Sequence, residues 1–231
     1  MKIVIWLVSK NVKTEIREVI PMLKKRYLNV NDLWIEDFSK KYQISSDFLK
    51  FVFLIEDKRF LNHKGVDYLG LIRAFLVYAK YLSIKQGAST ISQQLFALEN
   101  SNLQLHNSKV IGKLKKVYGA IVFEKKYSKE EIMYRYLSKV YFGKSYFGIY
   151  KAALGYFNSQ PLTLSKAQSF FLVERIALPN KVRVDRVLRI LRRPEIKKLL
   201  TQEDLEELYG IYEIIFRMKI QVMGVEIYEF L

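Results

Sequence analysis

Apolar residues recur along this chain at three- and four-residue intervals far more often than they alternate, so helices are predicted throughout and few strands. Ile16, Val19, Ile20, Leu23 and Tyr27 mark an amphipathic helix over 14–27. Phe48, Phe51, Val52 and Ile55 fall at the i, i+3, i+4, i+7 spacing of a buried stripe, and Ser45 or Ser46 stands where a cap is needed. Further helices are expected over 109–123, 129–141 and 162–178, the last burying Leu164, Ala167, Phe170, Phe171 and Val173. Residues 183–200 are dense in arginine. A closing helix over 201–223 begins at Thr201, with Glu203 and Asp204 in the first turn, where acidic side chains favour the helix dipole. The fold class is mainly α.

The most lipophilic stretch is 68–84, with Leu69, Leu71, Ile72, Phe75, Leu76 and Val77 among its residues. Arg73 and Lys80 lie inside it and argue against a membrane-spanning helix. An ordinary core helix and a segment that dips into a bilayer both fit. At the start, Ile3 to Ser9 is too short to cross a bilayer and short for a secretory leader, so an edge strand or the start of a core element is expected.

Composition narrows the partners. The 39 Lys and Arg against 23 Asp and Glu give +16, which suits nucleic acid, an anionic membrane surface or a phosphate-bearing substrate. No helix-turn-helix, zinc or RNA-motif signature is present, so nucleic acid is set aside. With no cysteine there is neither a disulfide nor a thiol nucleophile. Two histidines, His63 and His106, make a histidine metal site a poor fit. Half of the residues are apolar, enough for one domain with a full core.

Chemistry concentrates at Glu56. It follows Val52 by four residues and Phe53 by three, so it prolongs the apolar stripe. A carboxylate desolvated at the end of such a helix has its pKa raised toward the range of a general base. The plainer reading is a glutamate whose helix emerges into solvent. Around it stand Glu56, Asp57, Phe60, His63 and Gly65, and then Gly87, Ser89, Thr90, Gln93 and Gln94.

These two blocks resemble the glycosyltransferase family 51 domain, the peptidoglycan glycosyltransferase (transglycosylase) module, whose patterns read E-D-x-x-F-x-x-H-x-G and G-x-S-T-x-x-Q-Q. The resemblance continues through Lys129, Ile132, Tyr136 and Leu137, through Ala152-Ala153 with Tyr156-Phe157, and through Arg183 with Val187-Leu188. It runs in order from about residue 45 to 205. The chain thus divides into 1–44 of unassigned role, a catalytic domain over 45–205, and a C-terminal helix and tail over 206–231 packed on the same domain. Three positions depart from the family pattern: Lys116 stands where a glutamate belongs, Ala97 where a lysine belongs, and Ser138 where an asparagine belongs.

The resemblance implies a lysozyme-like fold with two lobes around a substrate cleft. It implies an inverting transfer that polymerises an undecaprenyl-pyrophosphate-linked disaccharide (lipid II) into β-1,4 glycan chains. Glu56 would be the base, with Asp57 and Arg59 holding its surroundings and Phe60 and His63 shaping the loop behind it. Gln86, Gly87, Ser89, Thr90, Gln93 and Gln94 would present a helix start and side-chain donors to phosphate; adjacent Gln93 and Gln94 cannot both point inward. Lys109, Lys113, Lys115 and Lys116 are the expected cations for the pyrophosphate, with Lys116 either replacing the charge absent at Ala97 or standing solvated. No cofactor is required, although Mg²⁺ could accompany the pyrophosphate. Peripheral attachment to an anionic membrane, on the extracytoplasmic face, is expected, with a membrane-anchoring protein partner as one route. The departures leave three alternatives: a polymerase for another lipid-linked surface polysaccharide, an inactive module that binds lipid-linked glycan, and a lysozyme-like hydrolase.

Overall fold

The structure, a computed structural model, describes residues 31–71, 89–100 and 109–217, with the backbone alone at 109 and 110. The helix expected over 14–27, the stretch 72–84, Gln86, Gly87, the Lys109 side chain and the chain beyond Arg217 lie outside the described residues.

The described residues are mainly helical and contain no strand beyond an isolated antiparallel bridge between Tyr141 and Phe147. In chain order the helices are α1 (31–42), α2 (Ser46–Ile55), α3 (Ile91–Glu99), α4 (Lys109–Lys126), α5 (Lys129–Lys139), α6 (Ile149–Phe157), α7 (Lys166–Ala177), α8 (Val184–Leu191), α9 (Pro194–Lys197) and α10 (Gln202–Phe216). Short 3₁₀ turns lie at Phe60–Asn62 and Pro161–Thr163.

Capping chemistry sets many of the starts. Ser45, Thr90, Ser128, Ser165 and Thr201 each accept a hydrogen bond from a backbone N–H in the first turn, satisfying a donor that the helix cannot. Ser128, Ser165 and Thr201 complete reciprocal capping boxes with Glu131, Gln168 and Asp204. The arginine-dense stretch forms two helices because Pro194 restricts Arg193 to an extended conformation (ψ 130°) and then starts α9 at a position where its missing N–H costs nothing. Two helices carried no clear periodicity: α1, rich in charge, and α6, which is only nine residues long.

α7 is the centre of the fold. It packs on α2 at one side and α10 at the other and is buried along nearly its whole length. Phe48, Phe51 and Val52 of α2 and Leu205, Leu208 and Tyr212 of α10 fill the same core. α1 joins it through Ile35 and Phe38, so the packed unit begins upstream of the boundary drawn at residue 45. α3 crosses both α4 and α5 and presents its N-terminus to the end of α2.

Candidate active site

Glu56 terminates α2, and its own N–H still bonds back to Val52 O at 2.9 Å. The helical geometry carries past Ile55, so the side chain continues along the apolar stripe and enters a cleft of about 520 Å³. The carboxylate accepts a 3.0 Å hydrogen bond from Gln94 Nε2. Burial pushes its pKa up; the Gln94 hydrogen bond and the charges of Arg186 and Arg193 oppose that, and the neighbouring Asp57 charge adds to it. Gln94 is itself oriented: its Oε1 accepts from Tyr136 Oη at 2.8 Å. Burial, together with the charges of Glu56 and Asp57, drives the Tyr136 hydroxyl well above its ordinary pKa. Tyr136 therefore stays a donor, and the amide group of Gln94 must face Glu56.

Behind Glu56 lies a buried ionic cluster. Asp57 Oδ2 accepts the Ile91 N–H at 3.0 Å and lies 2.9 Å from His63 Nε2, so one carboxylate ties the end of α2 to the start of α3. The other ring nitrogen of His63 is 3.9 Å from Glu124 Oε1. Glu124 accepts from Ser92 Oγ at 2.5 Å and from Lys129 Nζ at 2.6 Å, and Lys129 also lies over the Phe60 ring at 4.4 Å. Thr90 Oγ1 donates to Gly65 O at 2.7 Å and Gln93 Nε2 to the same carbonyl at 3.4 Å, which fixes the loop after His63. Gly65 has φ +88°, and a Cβ there would sit 2.7 Å from the Ala120 backbone, so only glycine permits this approach to α4.

The expected site residues therefore divide. Glu56, Asp57, Ser89, Thr90 and Gln94 line the cleft. Phe60 and His63 are buried behind it, where they pack the loop, and neither lines this cleft or the smaller cavity beside it. Gln93 is buried against the Gly65 loop and lines only a smaller cavity of about 270 Å³. Arg59 pairs with Asp67 at 3.2 Å and lines neither cavity, nor does exposed Lys113. Lys116 and Ala97 lie together in the smaller cavity, with Leu98, Tyr141 and Pro179 among its walls. Ser138 lies outside both cavities and bonds back to Tyr134 O at 2.7 Å.

Three groups of residues were given no role at the site from the sequence, although Lys129, Tyr136 and Arg183 among them carry the family resemblance. Ser92, Glu124 and Lys129 hold the cluster under Glu56. Tyr136 orients Gln94. Arg183, Arg186 and Arg189 line the large cleft at i, i+3 and i+6, a helical spacing that the sequence displays, and Arg193 joins them from the extended residue that precedes α9. Arg186 is anchored from behind: its Nη1 donates to buried Glu174 at 2.7 Å. Glu174 also pairs with Arg175 and accepts from Tyr212 Oη at 3.2 Å.

The cleft carboxylates are already engaged: Glu56 by Gln94, Asp57 by Ile91 and His63, Asp67 by Arg59 and the Gly70 N–H, and Glu195 by Lys58. Among the described residues no three acidic or histidine side chains cluster as metal ligands. These groups do not form an ion cage.

The Transglycosylase family matches residues 29–201, and the chain belongs to that family. It is similar to penicillin-binding protein 4 of Bacillus subtilis, 38% identical over 134 residues that cover 57% of this chain and 20% of the relative. With penicillin-binding protein 1A of Rickettsia felis it shares 34% identity over 147 residues, 62% of this chain and 18% of the relative. With penicillin-binding protein 1A of Streptococcus pneumoniae it shares 30% over 175 residues, 73% and 24% respectively. The chain spans about a fifth of the length of these curated relatives.

Proposed function

We propose that this protein is a peptidoglycan glycosyltransferase that joins polyprenyl-pyrophosphate-linked disaccharides into a β-1,4 glycan by inverting transfer. The observation that carries the reading is Glu56: a carboxylate at a helix end, made more basic by burial, held by one side-chain amide, and open to a cation-lined cleft. Such a group can take the proton from a sugar 4-hydroxyl as that oxygen attacks the anomeric carbon of a second substrate. The departing pyrophosphate takes the bonding electrons and needs fixed positive charge, which the cleft and the Lys116 cavity contain. An α-linked donor then yields a β-linked product in one displacement. Family membership supports a lipid-linked glycan as the substrate class.

Peripheral membrane attachment belongs to the same reading. Among the described residues no helix is long and apolar enough to cross a membrane. Exposed Ile111, Leu114, Tyr118 and Val122 recur at three- and four-residue spacing along one side of α4, in a helix that ends in Lys125 and Lys126.

The test is Glu56→Gln assayed with lipid II. Polymer formation should fall by about 10²–10⁴-fold while folding is retained; turnover near wild type would remove Glu56 as the base. A stability measurement adds a signed check. Because the folded-state pKa of Glu56 is raised, its ionisation disfavours the folded state. The variant should therefore be more stable than wild type above that raised pKa. The gain should disappear as pH falls below the ordinary glutamate value, where the carboxyl is protonated in both states.

A further inference from the structure

The surface beside the smaller cavity is aromatic. Tyr141 is one of that cavity's walls, and Phe147, which lines neither cavity, stacks on it with centroids 4.7 Å and planes 29° apart. Phe147 is 55% exposed although Tyr141 covers one face of its ring, so the other face is open to solvent. Three residues on, in the first turn of α6, Tyr150 is also exposed, and its hydroxyl donates to Tyr42 O. The Tyr42 ring in turn carries exposed Tyr134 of α5, stacked at 4.5 Å. A row of rings thus leads from the cavity wall at Tyr141 across the start of α6 to α5, outside both cavities.

The row is held in place. Phe142 N–H bonds to Tyr146 O and Gly148 N–H to Val140 O, each at 2.9 Å, closing a hairpin between α5 and α6. Gly148 has φ +83°, and a Cβ there would meet Ser138 O at 2.5 Å, so glycine is needed to seat this hairpin on the end of α5. Tyr141 Oη donates to Asn180 Oδ1 at 3.2 Å and Tyr42 Oη to Glu130 at 2.7 Å, and Glu130 is also paired with Lys41. With those hydroxyls engaged, the row offers ring surface more than polar groups. Exposed Lys144 and Lys151 flank it, the first with its Nζ 5.4 Å from the Tyr156 ring centroid.

Ring surface of this kind differs from the exposed side of α4, where Ile111, Leu114 and Val122 accompany a single tyrosine. Aliphatic side chains suit acyl chains. Successive aromatic faces suit a chain of pyranose rings, whose polarised C–H groups pack on the negative face of an aromatic ring while their hydroxyls stay hydrated.

We propose that the row formed by Phe147, Tyr150 and Tyr134 binds the product glycan where it emerges from the cavities, and that this grip sets how long the chain grows. The inference rests on the transferase reading above and deepens it. A product held by its older sugars stays at high local concentration and is extended again; one that dissociates stops growing.

The experiment uses Phe147→Leu/Tyr150→Leu, which keeps apolar bulk at two exposed positions and removes both rings. Tyr150→Phe, which keeps the ring, is the control. With lipid II as substrate, the double variant should make glycan several-fold shorter on average, and Tyr150→Phe should make glycan of wild-type length. Calorimetric titration with a β-1,4-linked N-acetylglucosamine hexamer should show about tenfold weaker binding to the double variant, and wild-type binding to Tyr150→Phe. Wild-type product length in an active double variant overturns the proposal, and so does unchanged hexamer affinity. Loss of binding to phospholipid vesicles with hexamer affinity unchanged would assign the row to the membrane and overturn it too. The titration needs no turnover, so the two readings separate. If wild type makes no polymer yet binds the hexamer, and the double variant binds it more weakly, the glycan row stands and the transferase reading falls. If wild type makes polymer but does not bind the hexamer, the row falls and the transferase reading stands.

Discussion

Two buried ionic clusters flank the cleft, and they do different things. Under Glu56 lie Asp57, Glu124, Lys129 and His63; behind α8 lie Glu174, Arg175 and Arg186. The first has two carboxylates, one ammonium and one imidazole, and its hydrogen bonds run to the start of α3. Its link to Glu56 passes through backbone: Asp57 bonds the start of α3, α3 carries Gln94, and Gln94 holds Glu56. The second has one carboxylate against two guanidinium groups inside a shell of Phe171, Tyr212 and Phe216. It aims a cation directly at the cleft. Charge can therefore be buried to place a neutral element or to place another charge, and the cost of removing it should differ accordingly.

The largest expected effect separates the two. Glu174→Ala leaves buried Arg175 and partly buried Arg186 without their carboxylate and should cost about 3–5 kcal/mol in urea denaturation. Asp57→Asn keeps an oxygen for the Ile91 N–H but removes the charge facing His63. It should cost about 1–3 kcal/mol and lower turnover even with Glu56 intact. A loss for Asp57→Asn equal to that for Glu174→Ala would erase the distinction.

The third expectation concerns pH. With Glu56 as the proposed base, the reaction needs its carboxylate, so the rate should fall on the acid side through a pKa raised above the ordinary glutamate value. Gln94→Leu removes the hydrogen bond that favours the carboxylate, so the acid limb of kcat/KM should move to higher pH; a limb that stays or moves lower contradicts the link from Asp57 through α3.

The smallest effect is expected at Lys116, outside both clusters. Lys116→Ala should weaken donor binding a few-fold, and Lys116→Glu should weaken it more. Adding Ala97→Lys to Lys116→Glu should recover part of the loss, because both positions line one cavity. Affinities all within a few tenths of a kcal/mol of wild type would mark Lys116 as a solvated surface lysine.

Local signals in the chain were sufficient for the mainly helical fold, the cap at Thr201, the narrowing of the α2 cap to Ser45 or Ser46, and the exit of Glu56 from an apolar helix. Each depends on residues within a few positions of one another, where helical period and capping geometry are decided. Family membership was legible for the same reason, in two compact blocks. The split of Gln93 from Gln94 was half legible: adjacency forbids a common direction, but only the crossing of α3 over α5 makes Gln94 the partner of Glu56. Glu124 under His63, Tyr136 against Gln94 and Glu174 behind Arg186 were not legible. Glu124 reads as one charge before a lysine pair, and its burial comes from contacts with residues 32 and 61 positions away, Ser92 and His63. The sequence by itself thus determined the family, most of the described helices and the candidate base. Only the tertiary structure decided which charges are buried, because desolvation depends on what packs over a side chain and not on its neighbours along the chain.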